Sequence, residues 1–147
     1  MLLAIATLTP FLGAVVPLLT DRLGRDICAI ATGAVTLTAF LLVMSQAPAV
    51  YSGEVVTWGV PWVPAIGLSF SFFLDGLGLF FAGLILGIGL LIILYARYYL
   101  GSKDSLSVLY FYLLLFQGAM VGIVLSDNIL MLIVFWELTS LTSFLLI

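Results

Sequence analysis

The chain has 147 residues, 65% of them hydrophobic and only 7% charged, with a mean hydropathy of +1.39. A soluble domain of this size cannot hide that much apolar surface, so the chain reads as a polytopic membrane protein, all-α by the long apolar runs that follow. Four basic residues against seven acidic ones give a net charge of -3 and no basic cluster suited to nucleic acid. There is no histidine, the commonest metal ligand and proton shuttle, and the single cysteine, Cys28, can neither close an internal disulfide nor build a metal site alone. The residues point to no cofactor.

The first apolar run, Leu2–Leu19, has no basic residue before it, so it reads as a retained span and not as a signal peptide. Pro10 and Pro17 are expected to kink it or fray its end, which neighbouring helices can tolerate in a membrane. A short charged turn, Asp21 to Asp26, separates it from a second span, Ile27–Met44. This span is rich in Ala, Thr and Gly and so lets a neighbouring backbone approach closely.

From Ser45 to Ser71 the apolar pattern breaks, punctuated by Pro48, Gly53, Gly59, Pro61, Pro64 and Gly67. The runs Glu54–Gly59 and Gly67–Phe72 are short, aromatic and β-prone, and read either as two strands of a hairpin on the membrane surface or as an irregular loop. Trp58 and Trp62 suit the interfacial belt. The third span, Gly76–Tyr99, opens on Asp75, an acid placed to cap the first turn or, as a second reading, to handle ions near the outer face. Within it, Gly83 and Gly87 form a small-xxx-small pair. The fourth span, Leu106–Leu125, carries another such pair, Gly118 and Gly122, together with Gln117, a residue more often interhelical glue than a ligand. Asp127 or Ser126 is expected to cap the fifth span, Asn128–Ile147.

That last span holds one carboxylate, Glu137, near its middle. A charge at such depth costs roughly 2.5–3.5 kcal/mol on insertion scales, so it is expected to face other helices or water. On a helical wheel, Val134, Leu138, Leu141 and Leu145 form an arc that faces lipid, while Thr139, Ser140, Thr142 and Ser143 spread over the rest. Ser140 lies one turn beyond Glu137 on the same side. Two readings stand: a titrating site on a proton or cation path, and a neutral, hydrogen-bonded acid that holds helices together.

All four basic residues, Arg22, Arg25, Arg97 and Lys103, fall in or beside the turns after spans one and three. The positive-inside rule then places those turns in the cytoplasm. The amino terminus, the Ser45–Ser71 loop and the Asp127 turn would lie outside.

Several stretches resemble the A subunit of the multisubunit Mrp-type sodium/proton antiporters: Pro10–Ala14, Leu74–Leu79, Leu94–Leu100, Leu125–Asn128 and the FWELTSL run from Phe135 to Leu141. The last two belong to the wider superfamily of antiporter-like subunits of respiratory complex I and membrane-bound hydrogenases, while Ala96–Leu100 favours the Mrp branch. The resemblance implies a secondary cation/proton antiporter subunit working among other subunits in the cytoplasmic membrane, moving protons and sodium ions, with Glu137 as the translocation residue. Asp75, Thr139, Ser140 and Gln117 are candidates along the ion path. In that family the glutamate's usual partner is a lysine on a later, broken helix that this sequence does not contain. The resemblance therefore implies the amino-terminal part of a longer subunit. Two other readings are a proton-pumping subunit of a redox-driven complex and a non-transporting membrane scaffold.

Overall fold

A computed structural model describes residues 2–101 and 103–146, except for the side chain of Trp62, whose interfacial placement lies outside the described residues. The described residues contain five helices or helix groups long and apolar enough to cross a membrane, spanning Leu2–Leu23, Arg25–Tyr51, Gly76–Tyr99, Leu106–Leu125 and Ile129–Leu146. With the small sheet between spans two and three, this is the architecture of a multi-pass helical membrane protein.

Span one is interrupted. Helix α1 (Leu2–Gly13) gives way at Ala14 to α2 (Val15–Thr20) and a 3-10 turn over Asp21–Leu23. The break falls between Pro10 and Pro17. Pro17 has no N–H to offer the carbonyl four residues back, and Ala14 instead donates to Phe11 in a tight turn. Helix α3 (Arg25–Met44) is followed by a short helix α4 (Ala47–Tyr51) with Pro48 in its first turn. This helix lies in the segment read from sequence as hairpin or loop; proline is well placed at a helix start, where its missing N–H costs nothing.

Strands β1 (Val56–Val63) and β2 (Leu68–Leu74) then form an antiparallel hairpin with Trp58 opposite Phe72 and Val56 opposite Leu74; the register slips between Pro61 and Val63. The turn between them ends on Gly67, whose φ of 75° is left-handed and suits glycine. Helices α5 (Gly76–Tyr99), α6 (Leu106–Leu125) and α7 (Ile129–Leu146) complete the chain.

Small residues decide how closely the helices approach. Gly118 faces the ring of Phe11 and Gly122 the ring of Phe135, so the pair on α6 seats one aromatic ring from α1 and one from α7. The pair on α5 behaves differently: Gly83 faces Met44, but Gly87 has open space in front of it. A second close approach on α5 is at Gly89, against the Gln117 side chain. Two buried hydroxyls are satisfied within their own helices, Thr7 donating to Leu3 O and Thr32 to Cys28 O, since lipid offers no hydrogen-bond partner. Cys28 is itself buried, its Sγ against Pro17 O.

The two turns that carry the basic residues meet at one end of the bundle. Arg25 donates to Leu100 O and Asp104 O, 3.0 and 3.2 Å away, and Arg97 pairs with Asp26. Because the Asp26 side chain is 72% exposed, that ion pair contributes no more than about 1 kcal/mol. Its larger consequence is geometric, since it ties the start of α3 to the end of α5. The hairpin closes the opposite end. Phe72 and Leu74 are fully buried there, among Leu3, Val43, Val121, Leu125 and Met131.

Candidate functional site

Helix α7 turns one narrow face inward. Met131, Phe135 and Thr142 are buried, and Leu138 packs against the same core; their spacing of four, three and four residues keeps them on one stripe. Leu138 therefore leaves the lipid-facing arc expected from the helical wheel, while Val134, Leu141 and Leu145 remain exposed. That arc takes Glu137 as the inward residue. The seat is chosen instead by Phe135, because Gly122 offers space for a ring.

Glu137 lies about a third of a turn from that stripe and is exposed, among Ile133, Val134, Trp136, Leu141 and Phe144, which are exposed too. Among the described residues it makes no hydrogen bond or ion pair. Within these five spans the carboxylate thus faces outward, not toward the other helices as the sequence suggested. Ser140, one turn on, is exposed on the same face. Thr139 is half-buried and donates to Phe135 O at 2.9 Å, so its hydroxyl serves its own backbone. Thr142 does likewise with Leu138 O, on the inner face.

The other candidates lie elsewhere. Asp75 caps α5, its Oδ1 accepting from Gly78 N at 2.7 Å. Gln117 is buried between α3, α5 and α6; its Oε1 accepts from Thr36 Oγ1 at 3.1 Å, while its Nε2 has no partner among the described residues. The structure thus brings together Glu137 and Ser140, and brings neither to Asp75 or Gln117.

One residue escaped the sequence reading. Asn128, and neither Asp127 nor Ser126, caps α7: its Oδ1 accepts from Leu130 N at 2.9 Å and Met131 N at 3.4 Å. Asp127 instead spends its backbone N–H on Ser71 O, 3.1 Å away, and Ser126 donates to Gly122 O. Asparagine is as good a cap as aspartate or serine, so the residue types alone did not single it out.

A bundle of interrupted and continuous spans, closed at one end by a hairpin, defines a multi-pass helical membrane protein, and the known proteins it is similar to are antiporter-like membrane subunits. Residues 62–111 match the family model of the NADH-ubiquinone oxidoreductase (complex I) chain 5 N-terminus. The chain is also similar to the A subunits of the Mrp-type antiporters. It is 48% identical over 148 residues to the Na(+)/H(+) antiporter A subunit of Alkalihalophilus pseudofirmus, covering 97% of this chain and 18% of that protein. The Na(+)/H(+) antiporter A1 subunit of Staphylococcus aureus is 43% identical, covering 99% of this chain and 18% of that protein. A probable K(+)/H(+) antiporter A/B subunit of Rhizobium meliloti is 41% identical, covering 99% and 15%. The chain thus spans less than a fifth of the length of these relatives.

Among solved structures, the Mrp complex from a Dietzia species superposes with a TM-score of 0.82 at 31% identity, covering 98% of this chain and 15% of that one. The membrane-bound sulfane sulfur reductase, an archaeal respiratory membrane complex, superposes with a TM-score of 0.81 at 21% identity, covering 99% and 22%, and shows the fold alone.

Proposed function

We propose that this chain is part of a cation/proton antiporter subunit working within a hetero-oligomeric complex, and that Glu137 is its protonatable translocation residue. The observation that carries this reading is the outward α7 face: an ionisable group without a partner, on a helix long and apolar enough to span the bilayer. Such a residue is costly when exposed to lipid and is retained for function by default. Its face would be covered by further protein, which would supply a cation or a water-filled path. A cation close by would hold the carboxylate ionised, and its withdrawal in apolar surroundings would favour protonation, so that one proton is coupled to one movement of charge. The names of the relatives support sodium or potassium as the exchanged cation.

The orientation follows from charge: the end carrying Arg25, Arg97 and Lys103 is cytoplasmic, and the hairpin and amino terminus are extracytoplasmic. Ser140 is the nearest hydroxyl for relaying a proton to or from Glu137. Asp75 and Gln117 remain weaker path candidates, since each is already engaged, one in a cap and one with Thr36. A second reading, a proton-pumping subunit driven by redox chemistry, is favoured by the complex I family match, and it uses the same carboxylate. Cation-dependent proton flux through the assembled complex tests the first reading against the second, and Glu137→Gln tests the residue in both.

A further inference from the structure

We propose that the surface hairpin is a positioning device for the helix that carries Glu137, and that Asn128 is its positioning residue; the inference rests on the role given to Glu137 above.

The Asn128 amide faces two ways. Its Nδ2 donates to Gly67 O at 2.8 Å and to Ser69 Oγ at 3.1 Å, both on the hairpin. Its Oδ1 accepts from the first free N–H groups of α7. The amide orientation is fixed by these partners, because a backbone carbonyl only accepts and a backbone N–H only donates. Asparagine satisfies both sides at once; aspartate or serine can keep the cap but cannot give the same pair of bonds to the hairpin.

Two further contacts lie beside this one. Asp127 N donates to Ser71 O, and Ser126 forms a bridge with Phe72, so the connection from α6 to α7 lies along β2. Below it, Phe72 is fully buried with its ring centroid 6.3 Å from that of Phe135, and Trp58 stacks with Phe72 at 6.4 Å. Phe135 in turn lies 6.3 Å from Phe11 and against Gly122. The amide sets the height of α7 and the aromatic column sets its rotation. Glu137 is nine residues along the same continuous helix, about 13 Å from the tie. A shift at Asn128 is therefore carried to the carboxylate with little loss.

The elements packed against α7, namely α6, β2 and the Phe11 region of α1, carry no Asp, Glu, Lys or Arg. Their only ionisable side chains are Tyr110, fully buried and donating to Ile93 O, and Tyr112. These elements therefore present no formal charge to α7.

The test uses the complete complex and measures proton flux against pH, with assembly followed on a native gel. Asn128→Asp keeps the cap but turns an oxygen toward Gly67 O, and Ser69→Ala leaves the cap untouched while removing one hairpin acceptor. Misplacing a reacting group by a fraction of an ångström to an ångström lowers rates by about tenfold or more. The expected result is about a tenfold loss of flux for Asn128→Asp, a smaller loss for Ser69→Ala, and a displaced pH midpoint in both. Unchanged rate and midpoint in assembled Ser69→Ala and Asn128→Asp complexes would overturn the proposal. A lower rate at an unmoved midpoint would overturn it too, as would failure of Asn128→Asp to assemble combined with wild-type behaviour of Ser69→Ala. Glu137→Gln run in parallel separates the two levels. Wild-type flux in that variant removes the role of Glu137 itself, whereas inactive Glu137→Gln beside normal Asn128→Asp and Ser69→Ala removes only the positioning role.

Discussion

Phe135 of α7 lies with its ring against Gly122 of α6, so close that a Cβ added at Gly122 would overlap the ring. Phe135 is only 5% exposed, and it sits two residues from Glu137 on the opposite side of the helix. The hydrophobic effect gives little drive between helices in lipid, so this close fit is what seats α7 on α6.

Gly122→Val is expected to displace the ring and destabilise the helix pair by about 1–3 kcal/mol, the usual range for overpacking. Combining it with Phe135→Leu should restore part of the loss, because the two positions share one space. Thermal unfolding of the purified protein in detergent, followed for the two single variants and the double variant, measures the coupling. Additive losses would show that the ring does not occupy the glycine's space.

Asp75 offers a separable case. Its carboxylate caps α5 through Gly78 N. Asp75→Asn retains an accepting oxygen and should keep both stability and flux, while Asp75→Ala should lose about 1 kcal/mol of helix stability. Paired measurements of flux and thermal stability decide the role. Flux abolished in a stable Asp75→Asn complex would move Asp75 from the cap into the ion path.

Much of the fold was legible because the membrane imposes a single rule: long apolar runs between charged or proline-rich breaks become helices. The hairpin was legible from aromatic and β-branched residues around Gly67. Helix α4 was not, because Pro48 reads as a breaker unless it falls in a first turn. The candidate site was legible in type but not in direction. A lone Glu137 could be found from the sequence, but the face it occupies depends on where Phe135 seats, and that depends on a glycine in another helix. Asn128 was passed over for the same kind of reason. Its neighbours Ser126 and Asp127 are equally good caps in isolation, and only the contacts of the hairpin with Asp127 N and the Asn128 amide select among them.

Orientation is tested by placing single cysteines at Ser52 and Gly101, both exposed and at opposite ends of the bundle. Native Cys28 is buried, 1% exposed, and should not react. In intact cells an impermeant thiol reagent should label Ser52→Cys and leave Gly101→Cys unlabelled. The reverse pattern would invert the orientation and with it the direction of the proposed path.

Glu137→Gln tests most directly whether Glu137 binds and releases the transported proton. Glutamine keeps the shape and most of the hydrogen-bonding capacity but cannot titrate near neutral pH. The measurement is sodium-dependent proton flux in everted membrane vesicles containing the complete complex, with assembly checked on a native gel and Glu137→Asp as the conservative control. Assembled Glu137→Gln is expected to lose essentially all flux, while Glu137→Asp, which retains the carboxylate about one methylene short, keeps part of it. Wild-type flux through an assembled Glu137→Gln complex would remove Glu137 from the proton path and leave it a structural residue.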